Sequence, residues 1–144
     1  MQFTKKENGV HLVRFITGEE VYQGITDYAA TNGITNALVH AIGALSDAEL
    51  GFYHIETKSY TWKTFSGDYE LVSGTGNITL LEGNPFLHIH VVLGDAEFHA
   101  HGGHLKKGFA GATCEVVIQE ISGGEPIARK MDDEIGLKLW NLEE

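Results

Sequence analysis

The sequence predicts an α+β fold: a single domain in which one main helix packs on an antiparallel-dominated β-sheet. Three observations carry this. Only one stretch places apolar residues at helical spacing, with Val21, Ile25, Tyr28 and Ala29 forming the stripe. Most of the remaining chain falls into runs rich in β-branched and aromatic residues, which favour strands. The joints between runs are only a few residues long, and the chain has 18 glycines against two prolines. Short joints imply antiparallel neighbours.

Taken in order, residues 10–16 read as an opening strand. Thr17-Gly18-Glu19-Glu20 has a capping-box pattern, with Thr17 placed to cap the helix and Glu20 to answer it. Glu19 and Glu20 also favour the positive end of the helix dipole. Asn32-Gly33 is the stop signal. Strands are then predicted over residues 35–42, 48–55, 59–65, 69–80, 86–93, 97–101 and 113–121. Residues 106–111 read as a glycine-bearing connection, and residues 135–140 alternate like an edge strand.

Length and composition bound the function. The 144 residues fit one domain, residues 1–144, and a hydrophobic fraction of 42% suffices for a core. No apolar run reaches the roughly 18–20 residues that cross a bilayer, and the opening Met1-Gln2-Phe3-Thr4-Lys5-Lys6-Glu7 is polar and charged. No membrane association is expected. The single Cys114 sits in a strand-like run as a small core residue and cannot form an internal disulfide, so the expected compartment is the cytoplasm. The net charge is −10, and the ten Lys and Arg residues are scattered. Nucleic-acid affinity rests on neutralising phosphates, so direct binding to nucleic acid is disfavoured.

The chemistry concentrates in one stretch, His88-Ile89-His90-Val91-Val92-Leu93-Gly94-Asp95-Ala96-Glu97-Phe98-His99-Ala100-His101-Gly102-Gly103-His104. It reads as strand, turn, strand and glycine kink. His88 and His90 are two apart on a strand, so both rings leave one face. An even number of loop residues puts His99 and His101 on that face too; an odd number turns them away. Gly102-Gly103 permits His104 to swing out of strand register and complete a site. Chance gives roughly 0.4 His-x-His pairs for this composition, so two pairs plus His104 in one hairpin point to a divalent metal. His11, His40 and His54 are isolated and read as structural or surface residues.

Zinc is the preferred ion for imidazole donors, with nickel, copper, iron or manganese accepted by the same ligand type. Three protein ligands leave a position open for substrate. A structural zinc would take a fourth donor from His99, His101 or another subunit. Glu70, in a strand-like segment, is the candidate general acid or base. Other chemistries lack their signatures. Gly74-Thr75-Gly76 has neither the third glycine nor the following helix of a nucleotide loop, and the chain contains no Gly-x-Ser-x-Gly elbow and no Cys-x-x-Cys.

Four segments follow one another in a specific order: Ala41-Ile42-Gly43-Ala44-Leu45-Ser46-Asp47-Ala48, Gly67-Asp68-Tyr69-Glu70-Leu71-Val72-Ser73, His88-Ile89-His90 and Gly102-Gly103-His104-Leu105. In this the chain resembles the plants-and-prokaryotes-conserved (PPC) domain, in its small stand-alone prokaryotic and archaeal form. The resemblance implies a compact α+β domain assembled as a homotrimer. It also implies similarity in fold to the zinc enzyme α-acetolactate decarboxylase, which uses a His-x-His pair and a later histidine. Carried over, the implied ligands are His88, His90 and His104, with His99 and His101 as neighbours at most.

Plant members of the family carry an AT-hook, an Arg-Gly-Arg-Pro-like segment. This chain has none, and Gly67-Asp68-Tyr69-Glu70-Leu71-Val72 stands where plant members have Gly-Arg-Phe-Glu-Ile-Leu. Both departures count against DNA binding by this chain. The expectation is therefore a homotrimeric protein binding zinc or another divalent transition metal. Any enzymatic activity would be of zinc-dependent lyase or hydrolase type on a small molecule. A DNA-binding or transcription-associated regulator and a protein-interaction scaffold are the alternatives.

Overall fold

The computed structural model describes residues 3–142; Met1 and Gln2 of the polar opening lie outside the described residues. The elements run β1 (Phe3–Glu7), β2 (Val10–Ile16), α1 (Val21–Asn32), β3 (Ala37–His54), β4 (Ser59–Leu81), β5 (Asn84–Gly94), β6 (Ala100–Glu120), β7 (Arg129–Asp132) and β8 (Leu137–Trp140). The fold class is as expected. A six-stranded sheet of order β1-β2-β6-β3-β4-β5 is antiparallel at every pair of strands. β5 also pairs with β6, so β6, β3, β4 and β5 close on themselves. No helix among the described residues is long and apolar enough to cross a membrane.

The strands are fewer and longer than the sequence reading has them. Residues 35–42 and 48–55 belong to one strand, β3, and residues 59–65 and 69–80 to another, β4. Register shifts between Ala41 and Gly43 and between Ser46 and Ala48 absorb the apparent turns as bulges. Residues 106–111 are likewise not a connection. They lie inside β6, where Leu45 pairs with Ala110 and Glu49 with Lys107. The run 97–101 is mostly loop, and β6 begins at Ala100. Residues 135–140 do hold an edge strand, β8, which pairs only with β7.

The helix lies where its stripe predicts. Val21, Ile25, Tyr28 and Ala29 are buried, and α1 packs on β5 and β6. Its cap differs from the expected box. Glu20 itself is the N-cap and accepts from the backbone N–H of Tyr22 and Gln23, so the capping role expected of Thr17 falls to Glu20. Thr17 instead donates to the carbonyl of Ala112. At the far end Gly33 adopts φ +67 and its N–H returns to Ala29 and Ala30.

The core fills by alternation. Leu87, Ile89, Val91 and Leu93 of β5 point inward, as do Val39 and Leu50 of β3 and Leu105, Val116 and Ile118 of β6. Each such side chain contributes about 1.5–3 kcal/mol. Cys114 is fully buried, and burial pushes its thiol up to about 12, an inert core position. His11 is buried as well. Its Nε2 donates to Glu120 at 2.7 Å, and its Nδ1 lies 3.0 Å from the Tyr28 hydroxyl, tying β2 to β6 and α1.

Candidate metal centre

The inward run Leu87, Ile89, Val91 and Leu93 fixes the other parity of β5, so His88 and His90 leave its outer face. Closure of the sheet supplies the third ring. His90 and His104 are direct partners across β5 and β6, and therefore share that face. His104 thus stays in strand register, and no swing at Gly102-Gly103 is needed. The sheet, rather than a kink, delivers it.

One ring nitrogen from each of His88, His90 and His104 lies within 4.8 Å of the other two. The Nε2 atoms of His88 and His90 are 3.2 Å apart. Two donors on a tetrahedral zinc at roughly 2.0–2.1 Å stand about 3.3 Å apart. The first pair already has that spacing, and the third ring need move by no more than about 1.5 Å. Nδ1 of His104 is buried without a hydrogen-bond partner, the one such side-chain atom among the described residues. Such an orphan is costly unless something fills it. An all-imidazole donor set of this size fits a borderline-soft divalent ion.

The electrostatics keep His88 and His104 neutral at pH 7. Burial, then the Arg129 guanidinium and His90, hold His88 down at about 4. Burial, then His88, His90 and Arg129, hold His104 at about 4. A neutral imidazole has the free lone pair that a metal requires.

Aromatic packing sets the position of His104. Tyr60 and Trp62 stack at 4.7 Å, and their centroids lie 5.6 and 6.2 Å from His104. Gly51 makes room for them. It pairs with Trp62 on one side and His104 on the other, and a Cβ there would strike both aromatic rings. On the other flank, β4 approaches β5 closely at Gly76, where a Cβ would meet the His88 carbonyl and Ile89.

His99 and His101 are not brought to this site. Five residues, 95–99, separate the paired Gly94 and Ala100, so the loop is odd and both rings turn away. His101 pairs opposite the inward Leu93, packs on Phe65 at 5.2 Å and donates to Asp95 at 2.9 Å. Asp95 also accepts from the N–H groups of Glu97 and His99. The His101 bond, more than these, holds its carboxyl at about 2. Nor does Glu70 reach the triad within one chain. It is exposed and pairs with Gly94, four residues along β5 from His90 or about 13 Å at the strand rise.

A cavity of about 360 Å³ adjoins the imidazoles. His88, His104, Tyr60 and Trp62 line it on one side, and Arg129, Leu137 and Leu139 of the β7–β8 hairpin on the other. The hairpin is held by bonds from the Tyr53 hydroxyl to the Ile135 carbonyl and from Lys58 to the Asp133 carbonyl. Sequence reasoning missed Arg129, Tyr60 and Trp62. The alternation Tyr60-Thr61-Trp62 was a usable signal for an aromatic face, whereas Arg129 carried none.

A model of the Plants and Prokaryotes Conserved domain matches residues 2–122. Among curated proteins, none matches this sequence. Solved structures match over nearly the full length. A plant- and prokaryote-conserved protein of Pyrococcus horikoshii is 34% identical, with a TM-score of 0.87 over 100% of this chain and 98% of that one. A metal-containing protein of Archaeoglobus fulgidus is also 34% identical, with a TM-score of 0.87 over 98% of this chain and 99% of the other. A Bacteroides thetaiotaomicron protein with a provisional DNA-binding label is 27% identical, with a TM-score of 0.93 over 99% and 98%.

Proposed function

This chain belongs to the Plants and Prokaryotes Conserved domain family, and from that premise we propose that it binds a divalent metal, preferably zinc, through His88, His90 and His104. The observation that carries the reading is the convergence of three imidazoles, one nitrogen each within 4.8 Å, beside the unpartnered Nδ1 of His104. The A. fulgidus relative described as metal-containing supports it.

A divalent ion held by three side chains supplies a Lewis acid with an open position. The site then serves metal-assisted chemistry on a small molecule in the adjoining cavity. Tyr60 and Trp62 hold His104 in place and exclude water from its flank. The Arg129 charge disfavours protonation of His88 and His104 and so preserves their lone pairs.

Assembly as a homotrimer is part of the proposal. Leu12, Leu38, Ile42 and Val117 are exposed on the outer face that also carries His88 and His90. Exposed apolar side chains clustered on one sheet face favour burial against another subunit. The proposed compartment is the cytoplasm, where the lone buried Cys114 stays a thiol.

Metal analysis of protein purified without an affinity tag tests the central part. We expect about one zinc per chain and a melting temperature that falls on chelation and recovers on adding zinc. Less than about a tenth of a metal per chain, with no shift in either direction, contradicts it.

A further inference from the structure

Arg129 is only 9% exposed. Its Nε donates to Thr79 Oγ1 at 2.7 Å, one terminal nitrogen to the Lys138 carbonyl at 2.8 Å, and the other to Asn77 Oδ1 at 2.7 Å. All three acceptors are neutral. The guanidinium lies over the Phe86 ring at 5.0 Å and near Trp140 at 5.9 Å. Among the described residues no carboxylate stands within ion-pair distance of it.

A charge taken this far out of water ordinarily has a counter-charge, because desolvation alone is expensive. Burial does pull the Arg129 pKa down, yet arginine remains cationic in proteins. A guanidinium has five N–H donors. Three are engaged, which leaves one on each terminal nitrogen. Arg129 also faces the same cavity as His88 and His104, between walls of Tyr60, Trp62 and Leu137. The cavity lining therefore carries a fixed positive charge, two imidazoles of the triad and apolar side chains.

We propose that this cavity binds a small monocarboxylate, with the carboxylate on Arg129, its apolar part against Tyr60, Trp62 and Leu137, and its far end at the imidazole triad. The location of the far end rests on the metal reading above; the anion subsite does not. One planar guanidinium with two uncommitted N–H groups matches the two oxygens and single charge of a carboxylate. A phosphate dianion calls for more donors than the pair left here. Arg129 lies beyond residues 2–122, so the subsite comes from the chain that follows the matched family segment.

The test titrates butyrate, its neutral amide butyramide and inorganic phosphate into zinc-loaded and chelator-treated protein. The reporter is the Trp140 indole N–H resonance, since this group shares Asn77 Oδ1 with Arg129. We expect saturable shifts with the carboxylate in both forms, at least about tenfold weaker binding of the amide, and a loss of at least about tenfold for the carboxylate in R129Q. If R129Q does not fold, the contrast between acid and amide in the unaltered protein decides. Equal affinity for acid and amide, tighter binding of phosphate, wild-type affinity in R129Q, or no carboxylate binding up to about 10 mM overturns the proposal. Carboxylate selectivity in a protein that takes up no zinc would sink the metal reading and leave this one standing. Zinc uptake without carboxylate selectivity would do the reverse.

Discussion

His90 and His104 are cross-strand partners at the seam where β5 meets β6 and the sheet closes. They are 14 residues apart in sequence yet present their rings on one face, with centroids 5.4 Å apart. A site built on paired strands is held by the whole ladder rather than by a loop, which is the kind of support a metal centre needs.

Removing one imidazole should therefore cost affinity without costing the fold. His90 is exposed, so H90A should change the stability of the metal-free protein by less than about 0.5 kcal/mol. Zinc affinity should fall by at least roughly a hundredfold, since even outer partners of a metal site are worth roughly 10–100-fold. Competition against a chromophoric chelator measures it, and an unchanged affinity would remove His90 from the site.

Gly76 fixes the approach of β4 to β5. In G76A the new methyl would meet the His88 carbonyl and the Ile89 backbone, which cannot move aside as a side chain tip would. We expect a loss of about 1–3 kcal/mol in urea denaturation, together with weaker zinc binding because the strand carrying His88 and His90 is displaced. Stability equal to that of the unaltered chain would show that β5 yields there.

Acid sensitivity should trace in part to Glu120. The bond from His11, and next the one from Lys6, hold its carboxyl below the usual value. A carboxyl with a depressed folded-state pKa adds stability above its unfolded value, near 4.5. That stability is lost as the pH falls through the folded value. E120Q should be less stable than the unaltered protein at pH 7, by about 1 kcal/mol given partial exposure. The difference should shrink as the pH falls below 4.5. A difference that does not vary with pH would assign the effect to packing.

The exposed apolar face predicts an assembly that charge can break. Sedimentation should give a particle of three 15.8 kDa chains, and L38E, on the row that leads through Asn77 to His88, should give single chains. A monomeric unaltered protein contradicts the trimer directly.

The net charge of −10 sets a further expectation. Titration with duplex DNA at low salt should be flat, because few phosphates can be neutralised by ten scattered cations. Binding that weakens steeply with added salt would favour the regulator reading instead.

How much of this could be read in the sequence depended on how local each feature was. The helix was legible because the stripe Val21, Ile25, Tyr28 and Ala29 is a property of one segment. Its cap was misread because Thr17 and Glu20 both satisfy the local pattern, and only the chain path shows Thr17 bonded across to Ala112. Gly43, Asp47 and Gly67 all take positive φ and look like turns. They lie within or between paired stretches of long strands, and a bulge and a turn use the same residues. The shared face of His88 and His90 followed from a spacing of two. The exclusion of His99 and His101 waited on the loop parity, which Asp95 sets by bonding Glu97 and His99. Arg129 was illegible because its neighbours Thr79, Asn77 and Phe86 are some 40–50 residues away in the chain.

The most direct measurement is an anomalous difference map, recorded at the zinc edge, from crystals of zinc-loaded protein at neutral pH. We expect one peak per chain, about 2.0–2.1 Å from a single nitrogen of each of His88, His90 and His104. A map with no peak there, or with zinc held by other side chains while the three rings remain apart, contradicts the metal centre.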